Sequence, residues 1–190
     1  MVFVSRVFVL AFGAKSRYMV EIMTLLAVPI SGKDFDEAKQ RIEAAIGCGA
    51  EILELRTDYL QNLCSDLVEK LIEEVRKASK KPLPIIVTCR DAKEGGVVDY
   101  SLDLRVEVLM NALKAGAEYI DFEYENFLNT ESREKIDVAL SENQKSRLIL
   151  SAHNFESKFD NIEELYRQIT TSAPAAIPKL VYKEIGRAHV

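Results

Sequence analysis

Side chains able to do chemistry recur at the ends of short apolar runs along this 190-residue chain. Glu54, Arg56 and Asp58 come first, then Thr88 and Arg90, then Asp121, Glu123 and Glu125, then Ser151 and His153, then Lys179. Within each set the members stand two residues apart, and residues i and i+2 of a strand share a face. Lys179 follows Pro178 in an apolar run. An inward lysine among such neighbours loses its charge readily, and a neutral amine attacks a ketone to form an imine. His153 suits proton transfer near neutral pH. Glu94 lies in Arg90-Asp-Ala-Lys-Glu94-Gly95-Gly96, where two glycines make a flexible loop just past a strand end. Arg90, at the strand tip, offers a fork for a carboxylate or hydroxyl. Plainer readings fit as well: a surface lysine, a structural histidine, an exposed loop glutamate, and a structural ion-pair ladder for Glu54, Arg56 and Asp58.

The elements that must position these groups alternate regularly. Strands are predicted over Leu25–Ile30, Glu51–Arg56, Leu83–Cys89, Glu118–Glu123, Arg147–Ser151 and Ile177–Tyr182. Helices are predicted over Lys33–Ile46, Ser65–Ala78 with Ser65 as N-cap, Leu102–Ala115 ended by Gly116, Glu131–Leu140 and Ile162–Thr170. Alternating β and α with short apolar strands means a parallel sheet, either doubly wound or closed into a barrel. Three features favour the barrel. No Gly-x-Gly-x-x-Gly follows the first strand. Gly49-Ala50-Glu51 and Gly116-Ala117-Glu118 lead into strands as a weak internal repeat. Strand after strand ends in polar or charged residues at alternate positions, at the mouth where barrel enzymes place their chemistry.

Composition narrows the class. Hydrophobic residues make up 48% and charged residues 29%, with a net charge of −5, as in ordinary globular domains. No basic cluster suits nucleic acid, and no apolar run reaches the roughly 20 residues of a membrane span. Cys48, Cys64 and Cys89 lack metal-ligand spacing, and an odd, scattered set fits a reducing, cytoplasmic setting. Residues 1–22 contain Val7-Phe8-Val9-Leu10-Ala11-Phe12-Gly13-Ala14 after Arg6, resembling a short signal-peptide core. The plainer expectation is translation from Met23, with residues 1–22 a non-native or disordered extension. Residues 23–183 form the expected domain. Residues 184–190, Glu184-Ile-Gly-Arg-Ala-His-Val190, read as a translated sequencing adapter, which leaves His189 without function and implies truncation during assembly.

Five motifs, in order, resemble one family. Glu54-Leu-Arg56-Thr-Asp58 looks like its Glu-x-Arg-x-Asp on the second strand. Thr88-Cys89-Arg90 with Lys93-Glu94-Gly95-Gly96 is similar to its third strand and Glu-Gly-Gly loop. Tyr119-Ile120-Asp121-Phe122-Glu123 is similar to its fourth strand, Ser151-Ala152-His153-Asn154-Phe155 to its Ser-x-His-[Asp/Asn]-Phe, and Ile177-Pro178-Lys179 to the strand of its Schiff-base lysine. From about residue 24 to 181 the chain resembles the type I 3-dehydroquinate dehydratases. The resemblance implies an α/β fold, a (β/α)8 TIM barrel with about six of eight units present. It implies a lyase of the shikimate pathway in which Lys179, His153 and Glu94 are catalytic. Glu54, Arg56 and Arg90 would bind 3-dehydroquinate, Glu94 would pair with His153, and its charge would raise the imidazole's pKa. Neither metal nor cofactor is implied, and a homodimer remains open for the full-length enzyme. The family's seventh-strand arginine and its serine and glutamine near the eighth strand are not in this sequence, so the chain alone is expected to be inactive and poorly soluble. A class I aldolase-type barrel and a non-catalytic barrel fragment stand as alternatives.

Overall fold

A computed structural model describes residues 25–183, and the readings of residues 1–22 and 184–190 lie outside that range. Six parallel strands stand side by side in chain order: β1 (Ala27–Ile30), β2 (Ile52–Arg56), β3 (Ile85–Thr88), β4 (Tyr119–Glu123), β5 (Arg147–Asn154) and β6 (Ile177–Tyr182). Helices α1 (Phe35–Gly47), α2 (Ser65–Ala78), α3 (Leu102–Lys114), α4 (Tyr124–Phe127), α5 (Thr130–Glu142) and α6 (Ile162–Ser172) lie in the connections. A doubly wound sheet reverses its strand order at a switch point. This sheet never does, and it forms the wall of a (β/α)8 barrel with six of the eight units. No helix of the described residues is long and apolar enough to cross a membrane.

Local chemistry explains the boundaries. In α2, Val68, Leu71, Ile72 and Val75 recur at spacings of three and four and are buried, the stripe that holds a helix against a sheet. Asp34, Ser101, Asn129 and Asn161 cap α1, α3, α5 and α6 by accepting hydrogen bonds from backbone N–H groups, each worth about 1 kcal/mol. The cap of α2 is Cys64, not Ser65. Ser65 is already helical, and its hydroxyl donates to Glu107 and accepts from Asn111 on α3. Gly116, at φ +85°, turns the chain from α3 into β4 through a conformation that L side chains avoid.

The pleat creates two apolar zones. Leu53, Leu55, Ile85, Val87, Ile120, Phe122, Leu148 and Leu150 face outward and pack under the helices. Ala27, Ile52, Ile86 and Ile149, with Leu25, Tyr119 and Ile177, fill the inside at the N-terminal ends of the strands. That is the layered filling of a barrel interior. Among the described residues β1 and β6 are the edges of the sheet, and all six residues of β6 are only half-buried.

Candidate active site

One turn of pleat above the inner apolar layer, the same face of β2 to β6 becomes polar. The parallel registers set Glu54 against Ile86, Arg56 against Thr88, Thr88 against Asp121, Glu123 against Ser151, and Ser151 against Lys179. On β2 to β6, a step of two residues from Ile52, Ile86, Tyr119, Ile149 and Ile177 therefore reaches Glu54, Thr88, Asp121, Ser151 and Lys179 on the same face. Glu54, Thr88, Asp121, Glu123 and Ser151 are all buried, the last four completely. Buried charges must find partners, and here each finds several.

Asp121 lies at the centre. Its carboxylate accepts from Arg90 Nη2 at 2.9 Å, from the Ser151 hydroxyl at 2.6 Å and from Lys179 Nζ at 2.8 Å. Burial pushes its pKa up, but the charges of Arg90 and Lys179 outweigh that and hold it well below the usual carboxylate range. Lys179 Nζ also donates to Glu54 at 3.3 Å, and Glu54 accepts from the Thr88 hydroxyl at 2.8 Å. Arg90 is itself buried, its second arm donating to Glu123 at 2.8 Å and to Ser151 at 2.6 Å. Arg56 forms a two-pronged pair with Asp58, both bonds 2.8 Å. Its guanidinium remains partly exposed at 19%, so it faces the mouth.

His153 and Glu94 meet beside this cluster. Glu94 Oε2 is 2.9 Å from His153 Nδ1 and accepts from the His153 backbone N–H at 3.0 Å. Strand β5 runs on to Asn154, so His153 lies within the strand, not beyond the end predicted at Ser151. Its ring rests against Phe155, centroids 5.7 Å apart. The loop of Glu94 is a short 3-10 turn, Ala92–Glu94, closed by Gly95 at φ +87°. A Cβ on Gly95 would sit 2.6 Å from the Phe155 ring, so this glycine is required both by backbone angle and by close packing.

The electrostatics reverse one expectation. Glu94 was expected to raise the His153 pKa, yet burial and the nearby Arg90 charge push the imidazole down to about 2, with Lys179 and Arg56 adding to the effect and Asp121 opposing it. Burial and the Glu123 carboxylate push Glu94 up to about 7. The imidazole is thus neutral across the ordinary pH range. Once Glu94 ionises, its carboxylate accepts from Nδ1–H, which leaves the Nε2 lone pair free to take a proton.

Sequence reading missed several contributors. Glu125 was placed with Asp121 and Glu123 at the mouth, but helix α4 begins at Tyr124 and leaves Glu125 exposed. Asp91, Arg105 and Asn126 were not singled out. They surround Glu123, with Arg105 Nη1 at 2.8 Å and Asn126 Nδ2 at 3.0 Å from its Oε2. A buried arginine on an otherwise apolar helix face was the available signal for Arg105.

Residues 26–183 match the family described as type I 3-dehydroquinase. A 3-dehydroquinate dehydratase of Methanothermobacter thermautotrophicus is 33% identical over 144 residues, which are 76% of this chain and 58% of the relative. The chain thus spans under two thirds of that relative's length. A 3-dehydroquinate dehydratase structure from Aquifex aeolicus superposes with a TM-score of 0.68 at 26% identity, over 84% of this chain and 67% of the other. One from Clostridium difficile, a type I 3-dehydroquinate dehydratase, gives a TM-score of 0.73 over 88% of this chain and 69% of the other, and at 21% identity it speaks for the fold alone. With a match that covers most of the sequence and the whole described barrel wall, the chain belongs to the type I 3-dehydroquinase family.

Proposed function

We propose that this barrel mouth serves the dehydration of 3-dehydroquinate to 3-dehydroshikimate through an imine on Lys179. The observation that carries the reading is the placement of the Lys179 amine, on Asp121 and Glu54, one strand from the His153–Glu94 pair. The amine adds to the C3 ketone and water leaves, giving an iminium that draws electrons from C2. Asp121 and Glu54 orient the amine by their hydrogen bonds, and the proton that it sheds passes to water at the mouth. Neutral His153 removes the C2 proton through Nε2, Glu94 fixing the tautomer from the other side. The C1 hydroxyl departs with a proton returned from His153, and water then hydrolyses the imine. One water is consumed in that last step and two are released, a net loss of one.

Glu54, Arg56 and Arg90 are proposed to hold the ring hydroxyls. Arg56 does so directly, its edge being open to the mouth. Arg90, closed off beneath Asp121 and Glu123, contributes mainly its charge. The family resemblance assigns the substrate carboxylate to an arginine on a seventh strand, whereas the described residues hold six strands. We therefore propose that this chain by itself does not turn over substrate. The test is borohydride reduction with 3-dehydroquinate in the chain extended by the last two βα units of a family relative, read by peptide mass spectrometry. An adduct on Lys179 is expected. An adduct on Lys183, or none in a folded protein, overturns the assignment.

A further inference from the structure

We propose that Arg105, on helix α3 outside the barrel, is a positioning residue that holds the Glu94 turn against His153, acting through Asp91. This deepens the reading above and rests on it only for why the Glu94–His153 pair matters.

The turn needs such a hold. None of the residues Ala92–Glu94 is fully buried, and apart from Gly95 against Phe155 the turn has little apolar packing to fix it. What fixes it is Asp91. The Asp91 carbonyl accepts from the N–H groups of Glu94 and Gly96, both at 2.9 Å. Its Oδ1 accepts from the Lys93 N–H at 2.9 Å, and its own N–H donates to Glu123 at 3.0 Å. The placement of Glu94 thus follows the placement of Asp91.

Asp91 is in turn gripped from outside. Arg105 Nη2 donates to its Oδ2 at 2.7 Å and Asn126 Nδ2 donates to the same oxygen at 3.1 Å. The other arm of Arg105 donates to Glu123 at 2.8 Å, the carboxylate that also takes Arg90. A single buried guanidinium therefore clamps the turn to the end of β4. Its Nε is buried with no hydrogen-bond partner among the described residues. For packing alone an apolar residue would serve that position better, since an unpaired buried donor is unfavourable. The forked charge adds the bridge between Asp91 and Glu123, a geometry for which arginine is suited.

The test uses no substrate, so it can fail while the dehydratase reading stands, and the reverse. In the folded 190-residue chain, nitrogen-15 NMR of the His153 ring, above the pH at which Glu94 ionises, reads the tautomer directly. The wild type is expected to hold a single Nδ1–H tautomer against Glu94. Arg105→Gln should relax this to a mixture of tautomers, and Arg105→Lys should restore part of the preference. Loss of a nearby charge would move the titration but would leave the tautomer alone. If Arg105→Gln does not fold, Asp91→Asn keeps Arg105 paired with Glu123 while weakening its hold on the turn, and should give the mixture too. A folded variant that keeps the wild-type tautomer overturns the proposal.

Discussion

Replacing Glu94 by Gln should make the protein's stability less sensitive to rising pH. Burial lifts the Glu94 carboxyl from its usual 4.5 to about 7, so the folded state holds that proton more tightly than the unfolded chain. By linkage, a group whose folded pKa is raised contributes stability below about pH 4.5 that is lost as pH climbs through about 7. At about 1.4 kcal/mol per pH unit the full loss is about 3 kcal/mol. The loop is partly open to solvent, and screening trims this to about 2 kcal/mol. The substituted amide cannot ionise. Both His153 hydrogen bonds go to one Glu94 oxygen, Oε2, so the amide oxygen can accept both. Urea unfolding of both proteins from about pH 4.5 to 8 should therefore show near-equal stabilities at the acid end. The wild type should fall behind as pH rises, by about 2 kcal/mol in all. Two stability curves that stay parallel across this window would show that Glu94 titrates as an ordinary surface carboxylate, and the buried-pair geometry would be wrong.

Gly95→Ala should destabilise by about 1–2 kcal/mol, since the left-handed angle strains any L side chain. Part of that loss should return in Gly95→Ala/Phe155→Ala, where the clashing ring is gone; a double-mutant cycle with no coupling refutes the contact. Arg90→Met strips the shared partner from buried Asp121 and Glu123 and should cost at least about 3–5 kcal/mol. Lys179→Met leaves Asp121 paired with Arg90 and Ser151 and should cost less by thermal melting; the opposite order would mean that Lys179 carries the network. Cys48 and Cys64 are exposed and Cys89 is buried, its thiol pushed up to about 12 by burial. Iodoacetamide at neutral pH should label two thiols in the native chain and the third only after denaturation, so three labels without unfolding would refute the burial.

The barrel wall was legible because it is written in periodicity. Apolar runs with charges two residues apart at one end leave one way for the pleat to face, and Ser65–Ala78 and Ile177–Tyr182 match their elements end for end. The candidate site was legible where its members sit on or just past strands: Glu54, Arg56, Asp121, His153 and Lys179 converge because parallel register brings strand ends together, and Arg90 follows two residues beyond β3. What lies between strands was not. Helix α4 is four residues long, too short for a helical period to show. Arg105 shows only as an arginine on an apolar helix face, and its two partners, 14 and 18 positions away, meet it only once β4 has packed. The sign of the His153 shift was lost for the same reason. The nearest carboxylate was visible in the sequence, while the depth of the pocket and the cationic neighbours that outweigh it are properties of the assembled mouth.

The polar layer above the dry one also acts as a check on strand alignment. A slip of one residue turns a strand's charges into the helix-packed face. A slip of two keeps the face but drops a charge such as Asp121 or Lys179 into the zone of Ile86, Ile149 and Ile177, far from its partners, at a cost of several kcal/mol. Apolar side chains alone tolerate such a slip, because one branched aliphatic group fits much as another does. Five strands must therefore reach one common alignment before any of these ions is satisfied, and a barrel repacked with leucine at those positions would gain stability while losing its means of telling one register from the next.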